Sequence, residues 1–215
     1  GMLVGLAFGV MAGVDRLQGT EHFGMSVRLL LCVLAGGSIA CFIGVVDDIF
    51  DIKPHHKLLG QVLAALMLVV VGVLPNFSSI ADTIGWGISA RIDMAIGIPV
   101  VIIFVLGATN SLNLLDGLDG LCAGVTAIIG TAMLLLSIHL VTWDTSGAEG
   151  PVRIILCHGL IGGVFGFLPF NRYPAKIFMG DAGSMILGLI LSILIIKYSN
   201  IPFGFIYFVS SLLIC

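Results

Sequence analysis

Charged side chains are scarce in this 215-residue sequence, at 10% against 59% hydrophobic residues, and the mean hydropathy is +1.19. So little polar surface cannot cover a water-soluble globule, which places the chain among membrane proteins. Basic residues are scarcer still: 9 Lys and Arg face 12 Asp and Glu, a formal net charge of -3, and this excludes a polybasic surface for nucleic acid. The cysteines Cys32, Cys41, Cys122, Cys157 and Cys215 stand singly inside apolar runs, without zinc-site spacing or a disulfide framework. They are expected to behave as small hydrophobes. There is no Walker A pattern. No basic segment or small-residue cleavage site precedes the first apolar run, so no secretory signal peptide is expected.

What the sequence does contain is a series of uncharged runs. A helix of roughly 20 apolar residues crosses about 30 Å of hydrocarbon, and the runs 29–46, 58–74, 94–109, 121–143 and 154–170 meet or approach that length. Shorter runs cover 2–14, 182–196 and 201–215. The expected fold is all-α: a polytopic integral membrane helical bundle of about seven to eight spans. Because the chain opens and closes inside apolar segments, it is expected to be one transmembrane domain, 1–215, truncated at both ends.

Nearly all the acidic chemistry lies in three polar stretches, Val46 to Asp51, Asn110 to Gly120 and Phe170 to Ser184. Two apolar runs separate each stretch from the next, so all three are expected on one membrane face. The positive-inside rule does not identify that face. Lys53, Lys57, Arg172 and Lys176 lie on the motif face and Arg16, Arg28, Arg91, Arg153 and Lys197 opposite. Trp86 with Arg91, and Trp143 near Arg153, have the pattern of interfacial anchors on the far face. His139 and His158, alone in apolar spans, are expected to hydrogen-bond between helices rather than catalyse. Gly162, Gly163 and Gly166 are expected to allow close helix packing.

On a helix, Asp47, Asp48 and Asp51 are spaced to share roughly one side. Carboxylates about 6 Å apart repel by about 2 to 3 kcal/mol per pair at an effective dielectric near 20, and a helix C-terminus adds further negative potential. A divalent metal, Lys53 and Lys57, or a proton would offset this, unless the segment is simply a solvated acidic loop. In the second stretch, Asp116-Gly117-Leu118-Asp119-Gly120 repeats an Asp-Gly turn unit behind Asn110 and Asn113. Polar groups at a span terminus need partners. The third stretch ends Gly180-Asp181-Ala182-Gly183-Ser184, a glycine-flanked carboxylate at a helix start. Such an end attracts phosphate, and its Asp either holds a hard cation such as Mg²⁺ or caps the helix. Phe178 is equally a core aromatic or a stacking platform. Together the Asp clusters and nearby cations suit Mg²⁺-dependent handling of a diphosphate, where catalysis is mostly positioning and charge neutralisation.

The stretches Asp47-Asp48-Ile49-Phe50-Asp51, Asn110 to Gly120 and Phe170-Asn171 through Phe178-Met179-Gly180-Asp181-Ala182-Gly183-Ser184 resemble the signatures of the polyprenyl-phosphate N-acetylhexosamine-1-phosphate transferases of glycosyltransferase family 4, in order, spacing and intervening spans. The resemblance implies transfer of a sugar 1-phosphate from a UDP-sugar to undecaprenyl phosphate with release of UMP, initiating cell-envelope polysaccharide synthesis. It implies a multi-pass protein of the bacterial inner membrane whose loops face the cytoplasm, with Mg²⁺, or Mn²⁺, as cofactor. By the same resemblance Asp47 and Asp48 deprotonate or position the lipid phosphate, Asp181 binds Mg²⁺, and Asp116 shapes the nucleotide and metal site. Asp119, Asn171 and Phe178 would hold the uridine, Phe178 by stacking. Lys53 and Lys57 would be phosphate ligands, and Asn113 and Asp51 would belong to the substrate site. The third acid, Asp51, resembles the branch using UDP-N-acetylglucosamine for O-antigen, common-antigen or teichoic-acid linkage synthesis; the phospho-N-acetylmuramoyl-pentapeptide translocase is the alternative. The family's opening span and its histidine-rich loop lie outside residues 1–215. Two other classes compete: intramembrane isoprenyl transferases, and a cation- or proton-coupled transporter, which would spread its acids through membrane depth. Nothing in the sequence excludes a homodimer.

Overall fold

The computed structural model describes residues 22–70, 72–78, 87, 89–142 and 150–200. Its main elements are six helices: α1 His22–Phe50, α2 Pro54–Val70, α3 Ala90–Leu115, α4 Leu121–Thr142, α5 Gly150–Asn171 and α6 Gly180–Tyr198. No strand occurs among the described residues. All but α2 are long and apolar enough to cross a membrane; α2, with 17 residues, is a shorter apolar helix. The runs 2–14 and 201–215 lie outside the described residues, within which six helices, five of them long enough to span, are roughly consistent with the seven to eight spans expected of the whole chain. Helices are what such a composition must form in lipid, because each backbone N–H and C=O then finds its partner within its own segment.

The spans are apolar on every side, so lipid and protein compete for the same faces. Leu31, Phe42, Ile103, Ile128 and Leu135 all remain more than half exposed, facing the surroundings of the bundle. The helix that differs is α6: 61% of its span is buried, against 17 to 44% in the other long helices. It packs on α1 and α3 most extensively and also touches α4 and α5, so α6 is the axis of the bundle. Two apolar clusters flank it. Met185, Leu189, Ile193 and Ile196 meet Ala64, Ala65 and Leu68 of α2 and Val101 and Val105 of α3. On the other side Leu191, Leu194 and Ile195 meet Cys122, Met133, Cys157 and Leu160 of the α4–α5 pair.

Small residues set how closely the axis helix is approached. A Cβ on Gly188 of α6 would lie 2.6 Å from the Thr109 backbone of α3, and one on Gly44 of α1 would run into the backbone of Ala182. Without side chains there, the helices meet backbone to backbone. The sequence placed this role at Gly162, Gly163 and Gly166, and the structure corrects it for the latter two. Gly163 and Gly166 are exposed, and a Cβ added at either would meet nothing within 4 Å, because α5 turns Cys157, Leu160 and Val164 inward instead.

The far end of the bundle brings a second correction. Arg153, expected as an interfacial cation, is fully buried. Its guanidinium lies 5.6 Å from the Tyr198 ring centroid and donates to the Lys197 carbonyl at 3.4 Å. A delocalised guanidinium tolerates this because a ring face and a carbonyl replace water. The Tyr198 hydroxyl donates to the Met133 carbonyl at 2.7 Å and shares a 2.6 Å hydrogen bond with Ser137, tying α6 to α4. His158 bonds its own helix, at Ile154 O, rather than a neighbour. Trp86 and Trp143 lie outside the described residues.

Substituting Gly188 by Val is expected to destabilise the protein by about 1–3 kcal/mol through overpacking, whereas Gly163→Ala is expected to leave stability unchanged or slightly raised, since a helix prefers Ala to Gly. Thermal unfolding of the two purified variants in detergent checks this, and equal melting points would contradict the packing assignment.

Candidate active site

At the end of the bundle opposite Arg153, the three polar stretches meet. α1 ends at Phe50, and Asp51 takes a left-handed conformation (φ 49°) that turns the chain toward α2. The carboxylates of α1 therefore do not share one side as expected from helical spacing: each points to a different partner, which relieves their mutual repulsion. Asp47 forms an ion pair with Lys57 of α2 at 2.8 Å and accepts from the Ile52 N–H at 3.1 Å. Asp48 reaches α6, accepting from the N–H of Asp181 at 2.9 Å and of Ala182 at 3.4 Å. Asp51 is exposed, as is Lys53.

The start of α6 is shaped by these acids. Gly180 has φ 67°, and a Cβ there would sit 2.7 Å from an Asp48 carboxylate oxygen, so only glycine fits. Its N–H donates to Asp116 at 3.0 Å. Asp48 and Asp116 thus take up the N–H groups of the first turn, which have no partner inside the helix, and meet its positive end with negative charge. This answers the question left open for Asp181. It lies in the first turn without capping it, and its carboxylate is free to accept from Lys57 Nζ and from Asn113 Nδ2.

Asn113 is the hub of that contact. Its oxygen accepts from Lys57 at 3.2 Å, and its amide nitrogen donates to Asp181 and, at 3.2 Å, to the Ser184 hydroxyl. Side chains of Lys57, Asp47 and Asp181 retain only 16, 11 and 22% exposure, so this charged knot is half-enclosed yet reachable from one side. Asp116, in the turn just beyond α3, has its carboxyl pushed above the ordinary aspartate value. Burial is the largest cause, the Gly180 N–H opposes it, and the negative charges of Asp181 and Asp48 add to it.

The outer wall is the loop from Arg172 to Met179. Asn171 is buried, at 2% exposure, and both ends of its amide are engaged: it accepts from Gly120 N–H at 3.2 Å and donates to Ile177 O at 3.1 Å. It holds the second and third polar stretches together from beneath. Asp119 lies at the surface, with one oxygen accepting from Ala175 N–H at 3.0 Å. Phe178 is 74% exposed and so is not a core aromatic. Asp47, Asp48, Lys57, Asn113, Asp116 and Asp181 thus form one network, Asp119 and Asn171 hold the adjoining loop that carries Phe178, and Asp51 and Lys53 stand outside both.

The sequence reasoning missed Ser184, which joins the polar network, Gln61, which pairs with Asn110 beneath it, and Gly44, which lets α1 approach the start of α6. The one signal for Gln61 was its position four residues after Lys57, as the lone polar side chain from 58 to 70. Among the described residues no group of three or more His, Cys, Asp or Glu side chains is arranged to hold a metal. Mg²⁺ needs fewer, since it commonly takes one or two carboxylates and completes its shell with phosphate oxygens and water. Asp47 and Asp181 both contact the single ammonium of Lys57, and Asp48 and Asp116 lie at the adjacent start of α6, so four carboxylates stand against one cation. That charge imbalance, with Asp181 and Asp116 at its centre, fits a hard cation.

Comparison with known proteins adds an independent line. The chain is 34% identical to the decaprenyl-phosphate N-acetylglucosaminephosphotransferase of Mycolicibacterium smegmatis over 88% of this chain and 46% of that protein. It is also 34% identical to the phospho-N-acetylmuramoyl-pentapeptide-transferase of Geobacillus kaustophilus, over 77% of this chain and 50% of that one. The corresponding Enterococcus faecalis transferase gives 34% over 80% and 52%. The chain spans about half the length of these relatives. The profile of the family described as Glycosyl transferase family 4 matches residues 30–199, from α1 through the end of α6, and takes in all three polar stretches. With that match across the bundle and the site together, the chain belongs to glycosyl transferase family 4.

Proposed function

We propose that this protein transfers an N-acetylhexosamine 1-phosphate from a UDP-sugar to a polyprenyl phosphate in the bacterial plasma membrane, releasing UMP on the cytoplasmic side. The observation that carries the proposal is the Asp47–Lys57–Asp181–Asn113 network at one end of an apolar bundle. An amphiphilic acceptor would have its phosphate at that end and its hydrocarbon in the surrounding lipid. A transporter would instead distribute ionisable groups along a path through the membrane.

In the reaction, an oxygen of the lipid phosphate attacks the β-phosphorus of the UDP-sugar. The bond from that phosphorus to the α,β-bridging oxygen breaks, and UMP departs. Asp47, already held beside Lys57, would accept the proton when the acceptor arrives as the monoanion, and would otherwise orient it. The Lys57 ammonium would lie against the phosphate oxygens, where a preorganised cation lowers the barrier without reorganising. Asp181 and Asp116 would hold Mg²⁺, or Mn²⁺, which when bound neutralises charge on the diphosphate. Asn113 fixes the Asp181 carboxylate, and Asp48 fixes the helix that carries it. Exposed Phe178 offers a face for uracil, Asp119 reaches the same loop from the α3–α4 turn through Ala175 N–H, and Asn171 supports that loop from below. Lys53, exposed outside the network, would be a second phosphate ligand, and exposed Asp51 would belong to the substrate site.

For the donor, the extra acid Asp51 supports UDP-N-acetylglucosamine and thereby a role in starting O-antigen, common-antigen or teichoic-acid linkage synthesis. Relatives named for either donor match at 34%, which keeps the muramoyl-pentapeptide nucleotide as a specific second reading.

The test uses membranes carrying the complete gene product, labelled UDP-N-acetylglucosamine, undecaprenyl phosphate and Mg²⁺. Label is expected in lipid with stoichiometric UMP, and Asp181→Asn is expected to lower kcat by about 100-fold or more. Transfer only from the muramoyl-pentapeptide nucleotide would select the second reading; transfer from neither would overturn the proposal. Chelation by EDTA is expected to abolish transfer, with Mg²⁺ restoring it. Phe178→Ala, which removes an exposed ring, is expected to raise the donor KM roughly 5- to 150-fold, the loss of one base stack of about 1–3 kcal/mol, while the melting temperature stays near that of the wild type.

A further inference from the structure

One polar pair, buried on its Gln61 side and half-buried on its Asn110 side, lies below the charged network and has no part in the chemistry above. Gln61 of α2 is 1% exposed, and its amide faces that of Asn110 on α3. Asn110 Nδ2 donates to Gln61 Oε1 at 2.9 Å, and Gln61 Nε2 donates back to Asn110 Oδ1 at 3.4 Å; Asn110 Nδ2 also reaches Leu106 O at 2.7 Å. Gln61 follows Lys57 by four residues and Asn110 precedes Asn113 by three, so each pair lies along one side of its helix. The two helices are therefore joined by two rungs. The outer rung is Lys57 Nζ to Asn113 Oδ1 at 3.2 Å, and the inner one is the reciprocal amide pair.

Apolar contacts between helices in lipid specify axial register poorly, because one Leu, Val or Ile serves much like another and hydrocarbon is an equivalent partner. A reciprocal amide pair behaves otherwise. A slip of one residue, about 1.5 Å, would break both hydrogen bonds and leave the buried Gln61 amide unsatisfied where water cannot replace its partner. On its other side α3 is fixed to α6 by the backbone approach of Thr109 and Gly188. Resting on the transfer reaction proposed above, we propose that Gln61 is a positioning residue: paired with Asn110, it holds the register of α2 on α3 that delivers the Lys57 ammonium to Asn113 and Asp181.

The test compares full-length wild type, Gln61→Leu, and the exchanged pair Gln61→Asn with Asn110→Gln. The first readout is independent of activity: acetylation of lysines by an amine-reactive reagent, followed by mass spectrometry. Exposed Lys53 serves as the reference, and Lys197, 5% exposed at the opposite end, reports on global opening. In Gln61→Leu, Lys57 acetylation is expected to rise several-fold relative to Lys53, with Lys197 unchanged and kcat reduced about 10- to 100-fold, the usual effect of losing a supporting hydrogen-bond partner. The exchanged pair is expected to recover part of both. Wild-type acetylation and kcat with only a lower melting temperature would overturn the proposal, as would a parallel rise at Lys197. Absence of transfer by the wild type with either donor would instead fail the functional proposal, and the acetylation pattern would still decide the role of Gln61.

Discussion

The seating of the α6 N-terminus on two carboxylates from other helices is the interaction on which the site depends. Asp48 closes the N–H groups of Asp181 and Ala182, and Asp116 closes that of Gly180. A helix that begins at a membrane boundary presents unpaired donors and a positive end, and here acidic side chains of α1 and of the turn after α3 supply what water would supply elsewhere. The consequence is geometric. With its first turn held from outside, α6 presents Asp181 to Lys57 and Asn113 rather than spending that carboxylate on its own cap.

The same contact explains why glycine recurs at this end. Gly44 permits α1 to approach the backbone of α6 one turn before Asp48, and Gly180 adopts a positive φ with Asp48 against it. Backbone approach and carboxylate capping are two parts of one joint. Deeper in the bundle, Gly188 against Thr109 and the Gln61–Asn110 pair continue the alignment of α6, α3 and α2. The charged network is thus the outer end of a stack of small-residue and amide contacts.

How the acids would divide their work was not legible from spacing. Asp47, Asp48 and Asp51 stand within five residues, and helical periodicity alone would point them in similar directions. The structure separates them because the helix ends at Phe50 and because an ammonium and a helix N-terminus lie on different sides of α1. Asn171 shows a similar limit. As a motif residue it was grouped with the nucleotide-binding side chains, yet its amide joins Gly120 and Ile177 beneath the loop. Gly163 and Gly166 were assigned to helix contacts by residue type, and lie on the open face of α5.

The sequence by itself determined the helical membrane architecture, the common face of the three polar stretches, and the family. Apolar run length and the lack of charge decide the first, alternation of crossings decides the second, and ordered motifs decide the third. Only the tertiary structure decided which carboxylate meets Lys57 and which meets the helix end, which glycines are contacts, and that Gln61 takes part. The reason is physical: periodicity constrains the rotation of side chains about one helix, whereas partners 49 to 134 residues apart are selected by how helices with nearly uniform apolar faces dock, and that docking rests on a few polar and glycine positions.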